Sequence, residues 1–327
     1  MSSSANLKGL SIVIITRGRS GQCARLCALL EKQLKRHAAA RAEIILVFDG
    51  CSKYDWVSQQ HPYRTVHLAH QVGIAAARNV GIRHAESPIV AFLDDDAILV
   101  DTWVSSLLRG LEVYPHHIAF GGRVIGHDPG NVYSQLRDLV YYFETFGEWY
   151  VDDGASSDLP GPPYVNGGNA AYRRSALAAA GGFDQALPAY SDVELGRRLE
   201  LASRAVLLAG MSVVHDHPST FGIYLERCMR SGRARALIWR RRCYPEHSPI
   251  SVLRAILYNL LWNNYARARR LNRYRLKSMA VLFCQEAAHG IGYAATFFKS
   301  RQIRPTDTGQ WPVSSKDSRD PCDTTVC

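Results

Sequence analysis

The chain has 327 residues, of which 47% are hydrophobic and 21% charged, a composition that is typical of folded proteins and excludes a chain disordered throughout. Its length fits one α/β domain of about 220 to 250 residues plus an appendage. The formal net charge is +10, but residues 226–277 alone hold 14 Lys and Arg against 2 Glu, so the positive charge belongs to one segment.

Strands and helices alternate through the first part of the chain. Apolar, β-branched runs predict strands at 10–15, 43–48, 65–68 and 89–93, and apolar residues at helical spacing predict helices after the first strand and at 74–85. This alternation predicts right-handed crossovers and a mostly parallel sheet. Asp49 and the run Asp94-Asp95-Asp96 each follow a predicted strand. Because ligands bind beyond the carboxyl ends of such strands, we expect both to line one crevice.

Beyond residue 101 the pattern is less regular. We predict a helix at 102–114, a strand at 118–121 and an irregular stretch at 147–163 of the kind that forms lids or binding loops. A glycine pair within 166–169 precedes a helix from Arg173, a helix near 192–202 and strands at 205–209 and 211–214, the last of which leads into His215. The chain then has helical patterns at 220–242 and 249–298. Its polar end at 304–327 is predicted to be a disordered tail.

The three adjacent carboxylates after the fourth predicted strand indicate chemistry. Like charges this close repel one another, so a positive group should offset them. A divalent cation bound to a nucleotide diphosphate meets this need, because Mg²⁺ and Mn²⁺ prefer oxygen ligands from carboxylates, phosphates and water. Asp96 then holds the metal, and Asp94 or Asp95 reaches the ribose or the metal-bound waters. The alternative is an acidic turn that merely caps the following helix.

Seven blocks in a fixed order carry a family resemblance. They read Ser-Ile-Val-Ile-Ile-Thr at 11–16, Val-Phe-Asp-Gly at 47–50, Gly-Ile-Ala-Ala-Ala-Arg-Asn-Val-Gly at 73–81, Phe-Leu-Asp-Asp-Asp at 92–96, Asn-Gly-Gly-Asn-Ala-Ala-Tyr-Arg-Arg at 166–174, Gly-Gly-Phe-Asp at 181–184 and Ser-Asp-Val-Glu-Leu-Gly-Arg-Arg-Leu at 191–199. Together they resemble the family 2 inverting glycosyltransferases of the GT-A fold. The resemblance implies a Rossmann-like α/β sheet flanked by helices, with a helical C-terminal extension. We therefore predict a catalytic domain at 1–218, a basic helical extension at 219–303 and the tail at 304–327.

The resemblance also implies contacts with a nucleotide sugar. Asp49 is implied to accept a hydrogen bond from the base, typically uracil, with an ordinary Asp-Gly turn as the alternative. Arg78 and Asn79 are implied to contact the nucleotide near the helix that Gly73 opens, with a plain surface arginine as the alternative. The other predicted contacts are Thr16, Arg17, Gly73, Asp94, Asp95, Gly167, Gly168 and Asn169.

Asp192 matches the catalytic base of the family, which takes the proton of an acceptor hydroxyl as its oxygen attacks the anomeric carbon. The family usually has an acidic residue just before this base, whereas this chain has Ser191, so the orientation of the base stays open. Glu194 is a substitute candidate, although we favour a solvent-facing helix residue. His215 is predicted to join Asp94 and Asp96 at the metal, against a purely structural histidine. The implied cofactor is Mn²⁺ or Mg²⁺.

The predicted function is metal-dependent, inverting transfer of a hexose-like sugar from a nucleotide diphosphate sugar, with UDP favoured, to a hydroxyl-bearing acceptor in glycan, glycolipid or natural-product biosynthesis. Ser191 keeps a second class open, a nucleotide-sugar or glycan-binding protein of the same fold without turnover. A haloacid dehalogenase-like phosphatase is less favoured, because that family places its Asp motif on the first strand, which lacks Asp here. A nicotinamide oxidoreductase lacks support since no G-x-G-x-x-G follows a strand.

The basic extension and the absence of targeting signals bear on location. Six apolar residues share one helical face, where core packing is favoured and a membrane surface is the alternative: Val252, Leu253, Ile256, Leu257, Leu260 and Leu261. No zinc finger or RNP-type pattern accompanies the charge, so nucleic acid is not an expected partner. The eight cysteines form no C-x-x-C pair, residues 1–9 have no apolar secretory segment, and no run of about 18 apolar residues occurs. We expect a cytoplasmic protein. A solvated helix face is the first interpretation of the basic segment, and peripheral contact with the inner, anionic face of the membrane or with a phosphorylated acceptor is the alternative.

Overall fold

Residues 9–37, 41–57, 63–126, 128, 130–136, 159–215, 220–265 and 275–299 are described by the structure, a computed structural model. Its first part contains β1 (Gly9–Thr16), α1 (Ser20–Arg36), β2 (Arg41–Asp49), β3 (Tyr63–Leu68), α2 (Ile74–His84) and β4 (Ile89–Asp94). These four strands pair in parallel in the order β3-β2-β1-β4. The alternating strands and helices of the sequence therefore form the parallel sheet that we predicted.

The second part of the chain adds short strands, one of which pairs antiparallel with its neighbours. It contains β5 (Ile98–Leu99), α3 (Trp103–Val113), β6 (Ala119–Gly121), β7 (Val124–Gly126), β8 (Leu159–Pro160), β9 (Asn169–Arg173), α4 (Arg174–Ala179), α5 (Ser191–Arg198), β10 (Ala205–Leu207) and β11 (Val213–His215). The full sheet has the order β3-β2-β1-β4-β9-β6-β10-β8, and β5, β11 and β7 form a second sheet. β9 is antiparallel to both of its neighbours, so the sheet is mixed rather than parallel throughout.

Both faces of the large sheet are covered at its centre, which explains why β1 and β4 are buried at nearly every position. On one face Ile12 and Ile14 of β1 belong to a core with Leu26 of α1 and Trp103 of α3. On the other face Val13 and its neighbours pack with residues of α2 and α5. The carboxyl ends of β1, β2 and β4 are thereby held rigidly at one edge.

The described part of the C-terminal extension is mainly helical, as predicted. They are α6 (Phe221–Arg242), α7 (Pro249–Tyr258), a π-helical segment (Asn259–Asn263) that continues α7, and α8 (Arg275–Lys299). Of the helices in the described part of the chain, none has the length and apolar character needed to span a bilayer. The predicted tail at 304–327 and most of the predicted irregular stretch at 147–163 lie outside the described residues. The domain boundary at 218 stays a prediction.

Ion pairs join the extension to α5. Glu194 is buried and binds Arg198, with Nε–Oε1 at 2.7 Å and Nη2–Oε2 at 2.8 Å, and Arg242 of α6, with Nε–Oε1 at 3.1 Å. A second pair connects Arg241 with Asp184 at 3.1 Å. The interpretation of Glu194 as a solvent-facing residue is therefore wrong, because the guanidinium that buries it comes from a helix distant in sequence.

The backbones of α6 and α8 approach closely at glycines. A Cβ on Gly232 would collide with the carbonyl oxygen of His289, and a Cβ on Gly292 would collide with the carbonyl oxygen of Met229. Tyr224 of α6 and Leu282 of α8 also belong to a common apolar cluster. The two glycines therefore set the distance at which these helices pack.

We expect Gly232→Ala to lower the free energy of unfolding by about 1 to 3 kcal/mol, because the added methyl group must push two helix backbones apart. The measurement is the midpoint of thermal unfolding by circular dichroism. Gly222→Ala in the same helix is the matched control, since nothing lies within 4 Å of its added Cβ, and it should be neutral or stabilising. Equal losses in both variants would contradict the close crossing.

Candidate active site

The acidic run at the end of β4 places its three side chains differently. Asp95 is buried and accepts a hydrogen bond from Thr16 Oγ1 at 2.6 Å, and the same hydroxyl is hydrogen bonded to Tyr54. Burial raises the pKa of Asp95, although the bond from Thr16 acts in the opposite direction. Asp94 and Asp96 instead line an open cleft. The run thus contributes two carboxylates to the cleft and one to the support behind it.

His215, at the end of β11, faces both cleft carboxylates. Its Nε2 lies 3.2 Å from Asp94 Oδ2 and 2.9 Å from Asp96 Oδ1. Burial alone lowers the pKa of His215, but the hydrogen bonds to the two carboxylates outweigh it and raise the pKa to about 10. Burial likewise raises the pKa of Asp94, while the bond to His215 and the charge of Arg78, at 3.5 Å, bring it below its usual range. The cluster is balanced by positive charge.

Asp94, Asp96 and His215 fit a divalent metal ion. Each offers one ligand atom, and these atoms all lie within 4.8 Å of one another. Asp96 Oδ1 is buried with His215 Nε2 2.9 Å away, so both atoms could bind the same ion once the proton on that nitrogen is released. Two carboxylate oxygens and an imidazole nitrogen suit Mn²⁺, and the oxygens also suit Mg²⁺.

Asp192 lies in the first turn of α5, where the helix dipole favours a carboxylate. Its Oδ2 accepts a hydrogen bond from the backbone N–H of Gly167 at 2.9 Å. Ser191 before it is buried, and Tyr190 adopts the left-handed conformation with φ 58°, an uncommon state for a non-glycine residue. The orientation of Asp192 is thus set by the 166–169 loop rather than by a preceding acidic residue.

A cleft of about 340 Å³ joins these elements, within the volume range of small-molecule sites. The predicted site residues that line it are Arg17, Arg78, Asp94, Asp96, Gly168, Asp192 and His215. Arg78 is buried rather than at the surface. The metal candidates and the candidate base therefore face the same space, although they come from β4, β11 and α5.

Asp49 lies behind the cleft and not in its lining. Its side chain is fully buried, and Arg17 Nη2 lies 2.6 Å from its Oδ2. The other oxygen accepts a hydrogen bond from the backbone N–H of Val72 at 2.7 Å. Asp49 is thus linked to the cleft through Arg17, and its contact with a nucleotide base stays a prediction.

Several other predicted contacts make internal hydrogen bonds. Asn79 pairs with both backbone polar groups of Phe183 at 2.8 Å. Asn169 accepts a bond from Trp103 Nε1 and donates one to the carbonyl of Met211, both at 2.8 Å. These side chains, like Thr16 and Asp95, brace the walls of the cleft, and their direct contact with a nucleotide stays a prediction.

Nearby side chains or the backbone conformation explain why glycine occupies three of the predicted site positions. A Cβ on Gly167 would meet the guanidinium of Arg78, and a Cβ on Gly168 would meet the carboxylate of Asp94. Gly73, just before α2, has φ 98°, a conformation that favours glycine. Gly167 and Gly168 therefore leave room for functional side chains.

The site contains residues that the sequence did not predict, among them four with polar or charged side chains. Arg19 lies with its Nε 2.9 Å from Asp95 Oδ1 and also pairs with Asp96. Arg227, Arg230 and Ser231 of α6 line the cleft. The only signal for Arg19 was its place just after a predicted strand end, and the arginines of α6 were counted only as part of a basic segment.

Comparisons with known proteins identify the family and the fold. The family described as Glycosyl transferase family 2 matches residues 11–181. The pre-mycofactocin glycosyltransferase of Mycobacterium tuberculosis is 28% identical over 198 residues, a match that covers 56% of this chain but only 39% of that relative's length. The solved mannosyltransferase PcManGT from Pyrobaculum calidifontis, in complex with GDP-Man and Mn²⁺, has a TM-score of 0.55 at 17% identity, covering 90% of this chain and 88% of that one. At this identity the structural likeness shows the fold alone.

We expect Gly168→Ala to weaken Mn²⁺ binding by roughly tenfold or more, because the added methyl group displaces the Asp94 carboxylate from the cluster. Isothermal titration of the purified chain with Mn²⁺ measures the change. Gly21→Ala in α1 is the control, since its added Cβ meets nothing within 4 Å. Unchanged Mn²⁺ affinity in a folded Gly168→Ala protein would argue against a metal at Asp94.

Proposed function

The chain belongs to glycosyl transferase family 2 and has the GT-A fold, and on this basis we propose that it is a metal-dependent, inverting glycosyltransferase. It transfers a hexose-like sugar from a nucleotide diphosphate sugar to a hydroxyl group of a glycan, a glycolipid or a natural product. The observation that carries the proposal is the cleft in which Asp94, Asp96 and His215 face the same space as Asp192.

The metal site would be formed by Asp94, Asp96 and His215, and the ion would be Mn²⁺ or Mg²⁺. When bound, such an ion neutralises charge that grows on the leaving diphosphate. Arg17 and Arg78 line the same cleft and can donate charge-assisted hydrogen bonds to phosphate oxygens. The donor end of the cleft is thus suited to a pyrophosphate.

Asp192 is the proposed base. Its carboxylate accepts the proton of the acceptor hydroxyl while that oxygen forms a bond to the anomeric carbon and the bond from that carbon to the diphosphate oxygen breaks. The nucleoside diphosphate leaves with the bonding electron pair. The hydrogen bond from Gly167 N–H at 2.9 Å keeps the carboxylate in one orientation, which supports a productive base despite Ser191.

We favour a uridine diphosphate donor because Asp49 lies next to Arg17 at the end of β2, where the resemblance implies base recognition. A guanosine donor is the second candidate, since the Pyrobaculum mannosyltransferase was solved with GDP-Man and Mn²⁺. We also propose a cytoplasmic location with peripheral contact to the inner face of the membrane, and a catalytic domain that ends near residue 218.

Asp96→Ala should abolish metal-dependent binding of the donor nucleotide, whereas Asp192→Asn should leave that binding intact and reduce turnover by about 100-fold or more. The two readouts are calorimetric titration with a nucleoside diphosphate plus Mn²⁺, and sugar transfer or donor hydrolysis. Donor binding by Asp96→Ala equal to that of the wild type, with metal present, would contradict the metal role. Tight nucleotide binding without turnover in the wild type, across acceptors, would favour the binding-protein class.

A screen of nucleoside diphosphates by thermal shift identifies the donor base. We expect UDP with Mn²⁺ to raise the unfolding midpoint most, because stabilisation grows with ligand concentration relative to the dissociation constant. The same shift should vanish when the metal is chelated. A larger shift with GDP would replace uridine by guanosine, and equal shifts with and without metal would oppose the proposed cofactor.

A further inference from the structure

Exposed hydrophobic side chains are concentrated in the C-terminal helices. Of the 17 large hydrophobic side chains that are exposed among the described residues, 12 lie between residues 250 and 298. Scattered exposed apolar residues are normal, but a contiguous set indicates a binding surface. We refer to these residues as the apolar surface: Ile250, Leu253, Leu257, Tyr258, Leu261, Trp262, Tyr265, Leu276, Met279, Phe283, Ile291 and Phe298.

The apolar surface includes one side of α7, and the other side of this helix packs against the protein. Val252 is buried and Ile256 is partly buried against a cluster that includes Tyr293 of α8. Leu257 is 48% exposed and Leu261 is 70% exposed, at a spacing that keeps them on one side. Core packing, the interpretation that the sequence favoured for this whole stripe, is therefore wrong for its outer half.

The α8 part lies on a neighbouring helix. Asn259 Nδ2 donates a hydrogen bond to Glu286 Oε1 at 3.1 Å, which joins the π-helical segment to α8. Leu282, one turn before Glu286 on the same side of α8, is fully buried where this helix packs on α6. Phe283 and Ile291 are each more than half exposed, so adjacent helices both present apolar side chains to solvent.

The charges around the apolar surface identify its partner. Arg254 on α7 and Lys277 on α8 are exposed beside it, and residues 249–299, which contain both helices, hold 8 Lys and Arg against 1 Glu. Two copies of so cationic a face repel each other, which disfavours a homodimer. Apolar side chains, Trp and Tyr, and flanking cations together are the pattern of a protein segment that lies in the interface of an anionic bilayer.

We propose that the apolar surface docks the protein on an anionic lipid bilayer, with its hydrophobic side chains inserted at the level of the headgroups and its arginines and lysines on the lipid phosphates. This inference deepens the proposed peripheral location and does not depend on sugar transfer. α6 packs on α8 and also supplies Arg227 and Arg230 to the cleft. Docking through α7 and α8 therefore acts on the cleft through α6, which contacts both.

The test is flotation of the full chain with vesicles of phosphatidylcholine alone or mixed with phosphatidylglycerol. We expect binding to the anionic vesicles at low salt, weaker binding at high salt and weaker binding to neutral vesicles. The double variant Leu257→Asn/Leu261→Asn should lower the partition coefficient by about tenfold or more, because two large apolar side chains are lost. Arg254→Glu should lower it several-fold on anionic vesicles only.

The matched control is Val113→Asn/Ile125→Asn, which changes two exposed apolar side chains elsewhere and should bind vesicles as the wild type does. Absence of flotation at low salt would overturn the proposal, as would equal flotation of all variants. A concentration-dependent dimer that the double variant abolishes would assign the surface to a second copy and also overturn it. The thermal shift by UDP with Mn²⁺, measured for every variant, reports separately on the cleft, so a failure of docking is distinguishable from a failure of the proposed transfer.

Discussion

The concentration of negative charge at the end of β4 is the constraint on which the site depends. Three consecutive carboxylates repel one another, so the fold must bring cations to them. Arg19 comes from the turn after β1, Arg78 from α2 and His215 from β11. A single electrostatic requirement thus connects four segments that are far apart in the chain, and it leaves two oxygens and one nitrogen arranged for a metal ion.

The basic extension is part of the site as well as an appendage. Arg242 reaches the buried carboxylate of Glu194, and breaking such a pair would leave an uncompensated buried charge. Because Glu194 and Asp192 are on the same short helix, the ion pair couples the position of α6 to that of the candidate base. Arg227 and Arg230 then complete the wall of the cleft. The helices that carry the apolar surface therefore contact the cleft residues through α6.

The candidate residues of the cleft are held in place in two ways, by the paired strands of a sheet and by a loop. The metal candidates Asp94 and His215 end strands, whose backbones are fixed by pairing on the sheet. Asp192 instead begins a helix and takes its orientation from the N–H of Gly167. Glycine is needed at 167 and 168 because Arg78 and Asp94 fill the space that a side chain would occupy. The loop therefore positions the candidate base and leaves room for the side chains of Arg78 and Asp94.

The sequence by itself determined the alternating strands and helices, the parallel half of the sheet and the acidic run, because periodicity and strand ends are local properties. It also carried the order of motifs that indicated the family. Only the tertiary structure decided that β9 is antiparallel, that Glu194 is buried, that Arg19 pairs with Asp96 and that Leu257 is exposed. Strand pairing, burial and ion pairing depend on partners distant in the chain, and no local pattern specifies which partner a side chain meets.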